Sequence, residues 1–124
     1  DDCLHGRWKA FNNIDSSKLR ELYESSFAFI FPSDYEGFGL PLIESMACGC
    51  PVISSSLSSL PEVGGSAALY AKTQNSESYL NQLLSLIDSE ELRVDMIKLG
   101  LLRAKEFTWS KTVLETINVY KSIK

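Results

Sequence analysis

Short apolar runs alternate with stretches of helical spacing through the first seventy residues. The run Phe27–Phe31 is unbroken, which is typical of a strand buried on both faces of a parallel sheet. Further strands are predicted at Pro51–Ser54 and Ala67–Tyr70, and a weaker one at Trp8–Phe11. Strands separated by short helical segments predict an α/β fold, with a parallel sheet of three to four short strands, flanking helices and right-handed crossovers.

Two helices are predicted on either side of the Phe27–Phe31 strand. The first follows Asp15, whose carboxylate can accept hydrogen bonds from the free amides of the first turn, and it ends near Ser25–Ser26. The second begins with Pro41 at its first position and stops at Gly49. The apolar stripe of the first helix consists of Leu19, Leu22 and Tyr23.

The last third of the chain is predicted to be helical. Thr108 is a candidate N-cap for a final helix from Trp109 to Ile123, and Gly100 predicts an interruption or kink in the helix before it. Helical spacing predicts the inward-facing positions: Tyr79, Leu80, Leu83, Leu84 and Ile87; then Leu92, Met96, Leu99, Leu102 and Arg103; and finally Val113, Ile117 and Tyr120.

The segment Pro32–Glu44, which we call the corner, carries the candidate chemistry. Within it, Gly37-Phe38-Gly39 lies where the backbone leaves a strand, so that amides can point outward and a ligand can approach without meeting a β-carbon. The following helix adds unpaired N–H groups and the positive end of its dipole. This arrangement suits a phosphate, although a Gly-x-Gly turn is more often ordinary turn chemistry.

Two carboxylates flank these glycines. Glu36 lies in the loop and Glu44 in the first turn of the helix, so both are expected at the carboxyl end of the sheet, where open α/β sheets bind ligands. Glu44 could instead complement the helix dipole, worth about 0.3–1 kcal/mol, and Glu36 could be a solvated loop residue. A carboxylate pair beside a phosphate site is suited to sugar hydroxyls, which need acceptors.

Composition narrows the class of partner and compartment. The 124 residues, 44% hydrophobic and 23% charged, predict one globular domain. A net charge of −4 with scattered basic residues argues against nucleic acid or an anionic membrane as the main partner. An odd number of cysteines favours a reducing, cytoplasmic setting, with Cys48 and Cys50 as buried packing thiols.

Several chemistries are not supported by the sequence. His5 is the only histidine in the sequence, and together with Cys48 and Cys50 it provides too few ligands for a structural zinc site. It is also the only candidate base for a nucleophilic serine. The sequence has neither a Gly-x-Ser-x-Gly turn nor a Walker-type phosphate loop. We expect neither a signal peptide nor a membrane-spanning segment, since the sequence shows no pattern typical of either.

Segments in and around the corner are similar to a known family. The sequence resembles the donor-binding domain of retaining glycosyltransferases of the GT-B fold, the glycogen-synthase-like group 1 enzymes, with a Rossmann-like sheet. The pair Glu36 and Glu44, with seven residues between them, is a specific part of the match. The matching segments are Phe31–Ser33, Tyr35–Pro41, Glu44–Gly49, Pro51–Ile53, Ser58–Gly65, Ala67–Leu69, Phe107–Trp109 and Tyr120.

The resemblance implies roles for the corner. Glu36 would contact the transferred sugar as the catalytic carboxylate, and Glu44 would bind the ribose hydroxyls. Backbone amides at Phe38, Gly39 and Leu40, in the turn that Gly37 opens, would hold the diphosphate. The implied reaction moves a hexose from a nucleotide diphosphate sugar to a hydroxyl acceptor, a glycan or a lipid-linked one, with retention and generally without a metal or other cofactor.

The departures from the family pattern limit this expectation. Such an enzyme has an N-terminal acceptor domain and supplies an Arg and a Lys to the diphosphate, and neither is found here as a recognisable motif. Residues 1–124 are therefore expected to be a single partial donor-binding domain, inactive alone, from a longer protein that is cytoplasmic or peripheral at the inner membrane. Without preceding strands, Phe27–Phe31 would be a bare apolar edge that favours self-association.

Two alternatives stay open. A non-catalytic module for nucleotide-sugar binding or protein interaction could keep the same fold without the chemistry. A sugar-nucleotide epimerase shares the fold but would be expected to carry its own histidines, and here only His5 is available. The base, the sugar and the acceptor are not indicated by the sequence.

Overall fold

The computed structural model describes residues 8–123. Within this range the chain forms six α-helices and three β-strands, with a 3₁₀ turn at Gly65–Ala67. In chain order these are α1 (Ser16–Ser25), β1 (Phe29–Phe31), α2 (Leu40–Ala47), β2 (Val52–Ser55), α3 (Leu60–Gly64), β3 (Ala68–Ala71), α4 (Ser76–Asp88), α5 (Glu90–Lys105) and α6 (Trp109–Ser122). The predicted α/β class is confirmed.

The three strands form one parallel sheet in the order β1, β2, β3. All four residues of β2 are buried, as expected for a central strand. The prediction that Phe27–Phe31 is buried on both faces is wrong: β1 lies at the edge of the described sheet, and Ile30 is 39% exposed. An unbroken apolar run reports the hydrophobicity of a strand but not its place in the strand order.

The weak strand predicted at Trp8–Phe11 is absent from the structure. This segment has no regular secondary structure, and Trp8 and Phe11 are 65% and 47% exposed. Lys9 and Ala10 interrupt the apolar pattern that a strand would need, so the segment has little to bury. His5 and Arg7 lie outside the described residues.

Two apolar clusters cover the two faces of the sheet. On one face, α2 and α3 pack on Val52 and Ala68, and on the other, α4 and α5 pack on Ile53 and Ala71. Adjacent residues of β2 therefore serve opposite clusters, as the alternation of side chains along a strand requires. This arrangement leaves the carboxyl ends of the strands free to carry the loops of the corner.

Helix α5 runs without a break from Glu90 to Lys105, so the interruption predicted near Gly100 is wrong. Gly100 is buried against α2, and a β-carbon built there would lie 3.3 Å from Cγ of Met46. The glycine therefore permits close packing of α5 against α2. Glycine is needed at this position because of a contact between two helices, which the spacing of residues along α5 does not indicate.

The predicted N-caps are confirmed. Oδ1 of Asp15 accepts from the Lys18 amide at 2.7 Å, and Oγ1 of Thr108 accepts from the Lys111 amide at 3.2 Å. Tyr23 is the buried member of the α1 stripe, and its ring meets that of Phe29 edge to face at 5.2 Å between centroids. Helix α1 thereby packs against the edge strand.

The inner faces predicted for the last three helices are only partly correct. In α4, Tyr79 and Leu86 are buried, whereas Leu80, Leu84 and Ile87 are exposed. In α5, Met96 is buried and Leu99 and Leu102 are exposed. No residue of α6 is buried, so Val113, Ile117 and Tyr120 do not form an inner face within residues 8–123. The apolar stripes predicted from the sequence therefore include more residues than the helices bury.

The prediction of buried packing thiols is confirmed for Cys50 and is only partly correct for Cys48. Cys48 and Cys50 are free, with Cys50 buried and Cys48 half-buried. Burial is the main cause that raises the pKa of the Cys50 thiol above its ordinary value.

Among residues 8–123, no helix is long and apolar enough to cross a membrane.

Candidate functional site

The corner depends on one glycine whose backbone no other residue adopts easily. Gly39 is the N-cap of α2 with φ 105° and ψ 43°, in the left-handed region. A β-carbon built on it would lie 2.7 Å from Cδ2 of the buried Leu60. Both the dihedral angle and the packing against α3 therefore require glycine at this position.

The N-terminus of α2 has no side-chain cap. Gly39 has no side chain to cap the helix, and Pro41 stands at the second helical position, not the first as predicted, because α2 begins at Leu40. A proline lacks an N–H group, so the donors of this turn are few and come from the backbone around it. At Gly37 a built β-carbon would meet no atom within 4 Å, so open space borders the turn.

Two serines of the loop after β2 hold the corner in place, and we call them the serine brace. The hydroxyls of Ser58 and Ser59 lie 2.8 Å and 2.9 Å from the carbonyl oxygen of Glu36, to which each can donate. Ser59 also lies 2.9 Å from the carbonyl oxygen of Phe38. The sequence does not predict these contacts, which hold the carbonyl groups of Glu36 and Phe38 in place.

Glu36 is oriented by a chain of two hydroxyls. Oγ of Ser33 donates to Oε1 of Glu36 at 2.8 Å, and Oγ of the buried Ser55 donates to the Ser33 carbonyl at 2.5 Å. Ser55 ends β2, so the half-buried carboxylate is tied to the carboxyl edge of the sheet, as predicted. Such a carboxylate still has lone pairs with which it can accept hydrogen bonds from a ligand.

Glu44 lies elsewhere than expected on α2. It is the fifth residue of the helix, and the first turn contains no acidic residue, so the prediction of a first-turn position is wrong. The interaction of a charge with the helix dipole falls off within the first turn, so complementing the dipole does not explain a glutamate at position 44.

Glu44 lines an open groove of about 380 Å³ between α1 and α2. Burial, and then the negative charge of Glu44, raise the pKa of Tyr23 to about 12. Glu36 thus contacts Ser33, whereas Glu44 faces α1, and the two glutamates occupy different sides of the corner. The other groove residues are Ser16, Leu19, Arg20, Ala47 and Cys48.

An aromatic contact supports the corner from α5 and the segment that follows it. The rings of Phe38 and Phe107 meet edge to face at 5.5 Å, and the guanidinium of Arg103 lies 4.8 Å from the centroid of Phe107. Sequence reasoning placed Arg103 on an apolar stripe and missed this contact. Residues four apart are neighbours on a helix, but α5 ends at Lys105 and Phe107 lies in the segment after it, so helical spacing did not predict this contact.

The described residues contain no group of three or more His, Cys, Asp or Glu side chains placed to hold a metal ion.

The family model described as glycosyl transferases group 1 matches residues 5–102. The chain belongs to this family. This glycosyltransferase segment is a fragment of a GT-B C-terminal domain, as its resemblance implied.

Relatives of this glycosyltransferase segment are longer proteins. It is 39% identical over 108 residues to an O-antigen chain mannosyltransferase B of Escherichia coli, covering 87% of this chain and 28% of that protein. Sucrose-phosphate synthase from Thermosynechococcus elongatus matches with a TM-score of 0.80 and 28% identity, over 91% of this chain and 29% of that one. The C-terminal domain of a group 1 glycosyl transferase from Francisella tularensis matches with a TM-score of 0.69 and 26% identity, over 79% and 51%.

Proposed function

We propose that this group 1 glycosyltransferase segment binds a nucleoside diphosphate hexose and that the longer protein transfers the hexose to a hydroxyl acceptor with retention. The observation that carries the proposal is the uncapped N-terminus of α2 at Gly39, held against the carboxyl edge of the sheet by the serine brace. Helix N-termini with free amides suit phosphate groups, and this edge is where open α/β sheets bind ligands.

The amides of Phe38, Gly39 and Leu40 would bind the diphosphate. Negative charge develops on the leaving diphosphate as its bond to the sugar breaks, and donors already fixed in place stabilise that charge without reorganising. The hydrogen bonds of Ser59 to the carbonyls of Glu36 and Phe38 supply such fixation. No metal is needed for this role in the proposal.

The two glutamates would divide the sugar groups of the donor. Glu36, oriented by Ser33 at 2.8 Å, would contact the hexose at the edge of the sheet, as the catalytic carboxylate. Glu44 is exposed in the groove beside α1 and would accept hydrogen bonds from the two ribose hydroxyls. Their separate surroundings support separate roles, because a donor with two sugars extends across the diphosphate.

The acceptor and the rest of the enzyme lie outside this chain in the proposal. The segment spans 28% of the Escherichia coli mannosyltransferase, so residues 1–124 would be a partial donor domain that is inactive alone. The name of that relative points to mannosyl donors and a glycan acceptor, either free or lipid-linked, as the first to examine. A second copy pairing at the Phe27–Phe31 edge, where Phe27 is 45% exposed, is a further proposed partner.

Calorimetric titration of nucleoside diphosphates and nucleoside diphosphate hexoses, mannosyl donors included, tests donor binding. We expect Glu44→Ala to weaken binding about tenfold, since it removes an acceptor for the ribose hydroxyls. Glu115→Ala on α6 is the matched control, because its carboxylate is exposed and forms only a 4.0 Å ion pair with Lys111. Unchanged binding in Glu44→Ala would remove Glu44 from the site.

Turnover separates an enzyme from a non-catalytic binding module of the same fold. In the longer protein, Glu36→Gln is expected to lower kcat by about a hundredfold while donor binding persists, because the amide keeps the shape but loses the charge. A longer protein that binds the donor and shows no transfer to any hydroxyl acceptor would favour the binding module.

A further inference from the structure

Arg103, on α5, contacts two structures that support the corner: helix α3 and the ring of Phe107. Its Nε donates to the carbonyl of Val63 at 2.9 Å, and its Nη2 donates to the carbonyl of Glu62 at 2.6 Å. These carbonyls belong to α3, a helix of five residues with few internal hydrogen bonds of its own. The guanidinium therefore fixes the end of α3 opposite to the serine brace.

The second of these contacts is to an aromatic pair. The guanidinium carbon of Arg103 lies 4.8 Å from the ring centroid of Phe107, and Phe107 meets Phe38 edge to face at 5.5 Å. The remaining Nη1 of Arg103 pairs with the carboxylate of Glu106. All three guanidinium nitrogens are thus engaged, and the side chain is only 26% exposed.

Both contacts lead to Phe38. Its ring rests on Phe107, and its carbonyl accepts from Ser59, the residue directly before α3. Arg103 contacts Phe107 on one side and the far end of α3 on the other. A shift of this one side chain would therefore release the backbone of Phe38 from two directions.

We propose that Arg103 is a positioning residue that holds the amides of Phe38, Gly39 and Leu40 in their diphosphate-binding arrangement. The inference rests on the proposed function in one respect, the identity of the ligand. The hold on the backbone follows from the contacts alone. Arginine is required because a lysine ammonium cannot offer a planar fork to two carbonyls and at the same time stack on a ring.

The test compares two arginines of the same helix. Arg103→Lys is the variant, and Arg93→Lys is the matched control, because the Arg93 guanidinium also lies over a phenylalanine, Phe27, at 4.8 Å and, among the described residues, forms no hydrogen bond or ion pair with the corner. Amide hydrogen exchange in the ligand-free longer protein reports the corner directly. The Leu42 amide donates to the Gly39 carbonyl at 3.0 Å, so its exchange reports the turn that opens α2. We expect about tenfold faster exchange at Leu42 in Arg103→Lys, with Arg93→Lys like wild type.

Steady-state kinetics with nucleoside diphosphate hexose supply the second readout. We expect Arg103→Lys to raise the donor KM about tenfold, with the acceptor KM unchanged, since misplacement is confined to the donor corner. Phe107→Leu, which keeps the volume apolar but removes the ring, is expected to have the same effect in smaller degree.

The outcomes distinguish the two proposals. Faster corner exchange and a higher donor KM in Arg103→Lys, both absent in Arg93→Lys, support the inference. Equal changes in the two variants, or wild-type exchange at Leu42 in Arg103→Lys, overturn it. Failure of the proposed function is read from wild type alone: a longer protein that binds no nucleoside diphosphate overturns that function, and with it the diphosphate part of this inference.

Discussion

The hydroxyl of Ser59 lies 2.9 Å from the carbonyl oxygen of Phe38, across 21 residues of sequence. This hydrogen bond joins the loop after the central strand to the turn that opens α2. The same hydroxyl lies 2.9 Å from the carbonyl of Glu36, so one side chain secures both ends of the Gly37 peptide segment. The shape of the corner is therefore set by a neighbouring loop as much as by its own glycines.

Replacing this serine should loosen the corner. We expect Ser59→Ala to lower the free energy of unfolding by about 1 kcal/mol, since two carbonyls lose a shared donor, and to weaken nucleoside diphosphate binding. Urea denaturation and calorimetry measure the two effects. Ser85→Ala is the control, because the Ser85 hydroxyl bonds only to the Gln82 carbonyl within its own helix. Equal donor affinity in wild type and Ser59→Ala would contradict the role of the brace.

The two corner glycines should differ sharply when each becomes alanine. Gly39→Ala is expected to cost about 1–3 kcal/mol of unfolding free energy, because φ is 105° and the new methyl would lie 2.7 Å from Leu60. Gly37→Ala should change stability by less than about 0.5 kcal/mol, since a built β-carbon there meets no atom within 4 Å.

Thermal and urea unfolding of both glycine variants check this contrast. Gly37→Ala is also expected to weaken donor binding, because its methyl would occupy the open space beside the turn. A Gly39→Ala variant as stable as wild type would show that the corner relaxes around Leu60, against the expectation.

Local signals in the sequence carried most of the corner. Its glycines, Pro41 and the following helical spacing are all within reach of one another along the chain, so the turn and the helix start were predicted to within one residue. The N-caps at Asp15 and Thr108 are equally local and were predicted correctly. Propensity and capping act over three or four residues, which a sequence displays directly.

Contacts between distant segments could not be predicted in this way. The hydrogen bonds of Arg103 to Glu62 and Val63 join residues about forty positions apart, and no period along α5 reports them. Likewise, spacing on α4 favoured Leu84 and Ile87, yet Leu86 is buried, because the rotation of a helix is set by its neighbours. Site roles for Glu36 and Glu44 remain predictions.

Alkaline pH should destabilise the fold through Tyr23. Its pKa is raised from 10.0 to about 12, chiefly by burial and then by the charge of Glu44, so the folded state favours the neutral phenol. The unfolded chain loses this proton first as pH rises. The contribution of Tyr23 to the free energy of unfolding is thus fully present below about pH 10 and is lost progressively as pH rises toward 12.

Urea midpoints measured between pH 8 and pH 12 test this effect at constant ionic strength, with the range set by the ordinary and raised pKa values. Tyr23→Phe should flatten the decline above pH 10, whereas Tyr35→Phe should not, because the Tyr35 ring is 81% exposed. The Cys48 and Cys50 thiols, whose pKa values are also raised, contribute the same sign of change in both variants. Identical profiles for the two variants would refute the assignment to Tyr23.

The edge strand β1 should make the isolated chain self-associate. Its outer backbone groups have no strand beside them in residues 8–123, and Phe27 and Ile30 are 45% and 39% exposed. Apolar edges of this kind pair with other strands, and a charge placed on such an edge opposes pairing. Ile30→Lys is therefore expected to weaken association about tenfold or more in sedimentation velocity across a concentration series.

Val119→Lys provides the control for added charge, because Val119 is 57% exposed and lies on helix α6 rather than on a strand. If the edge is the cause, Val119→Lys should associate like wild type. The longer protein should associate less than the isolated chain, since additional strands would cover β1. An isolated wild-type chain that stays monomeric at every concentration, with Ile30 still accessible to solvent, would contradict the prediction.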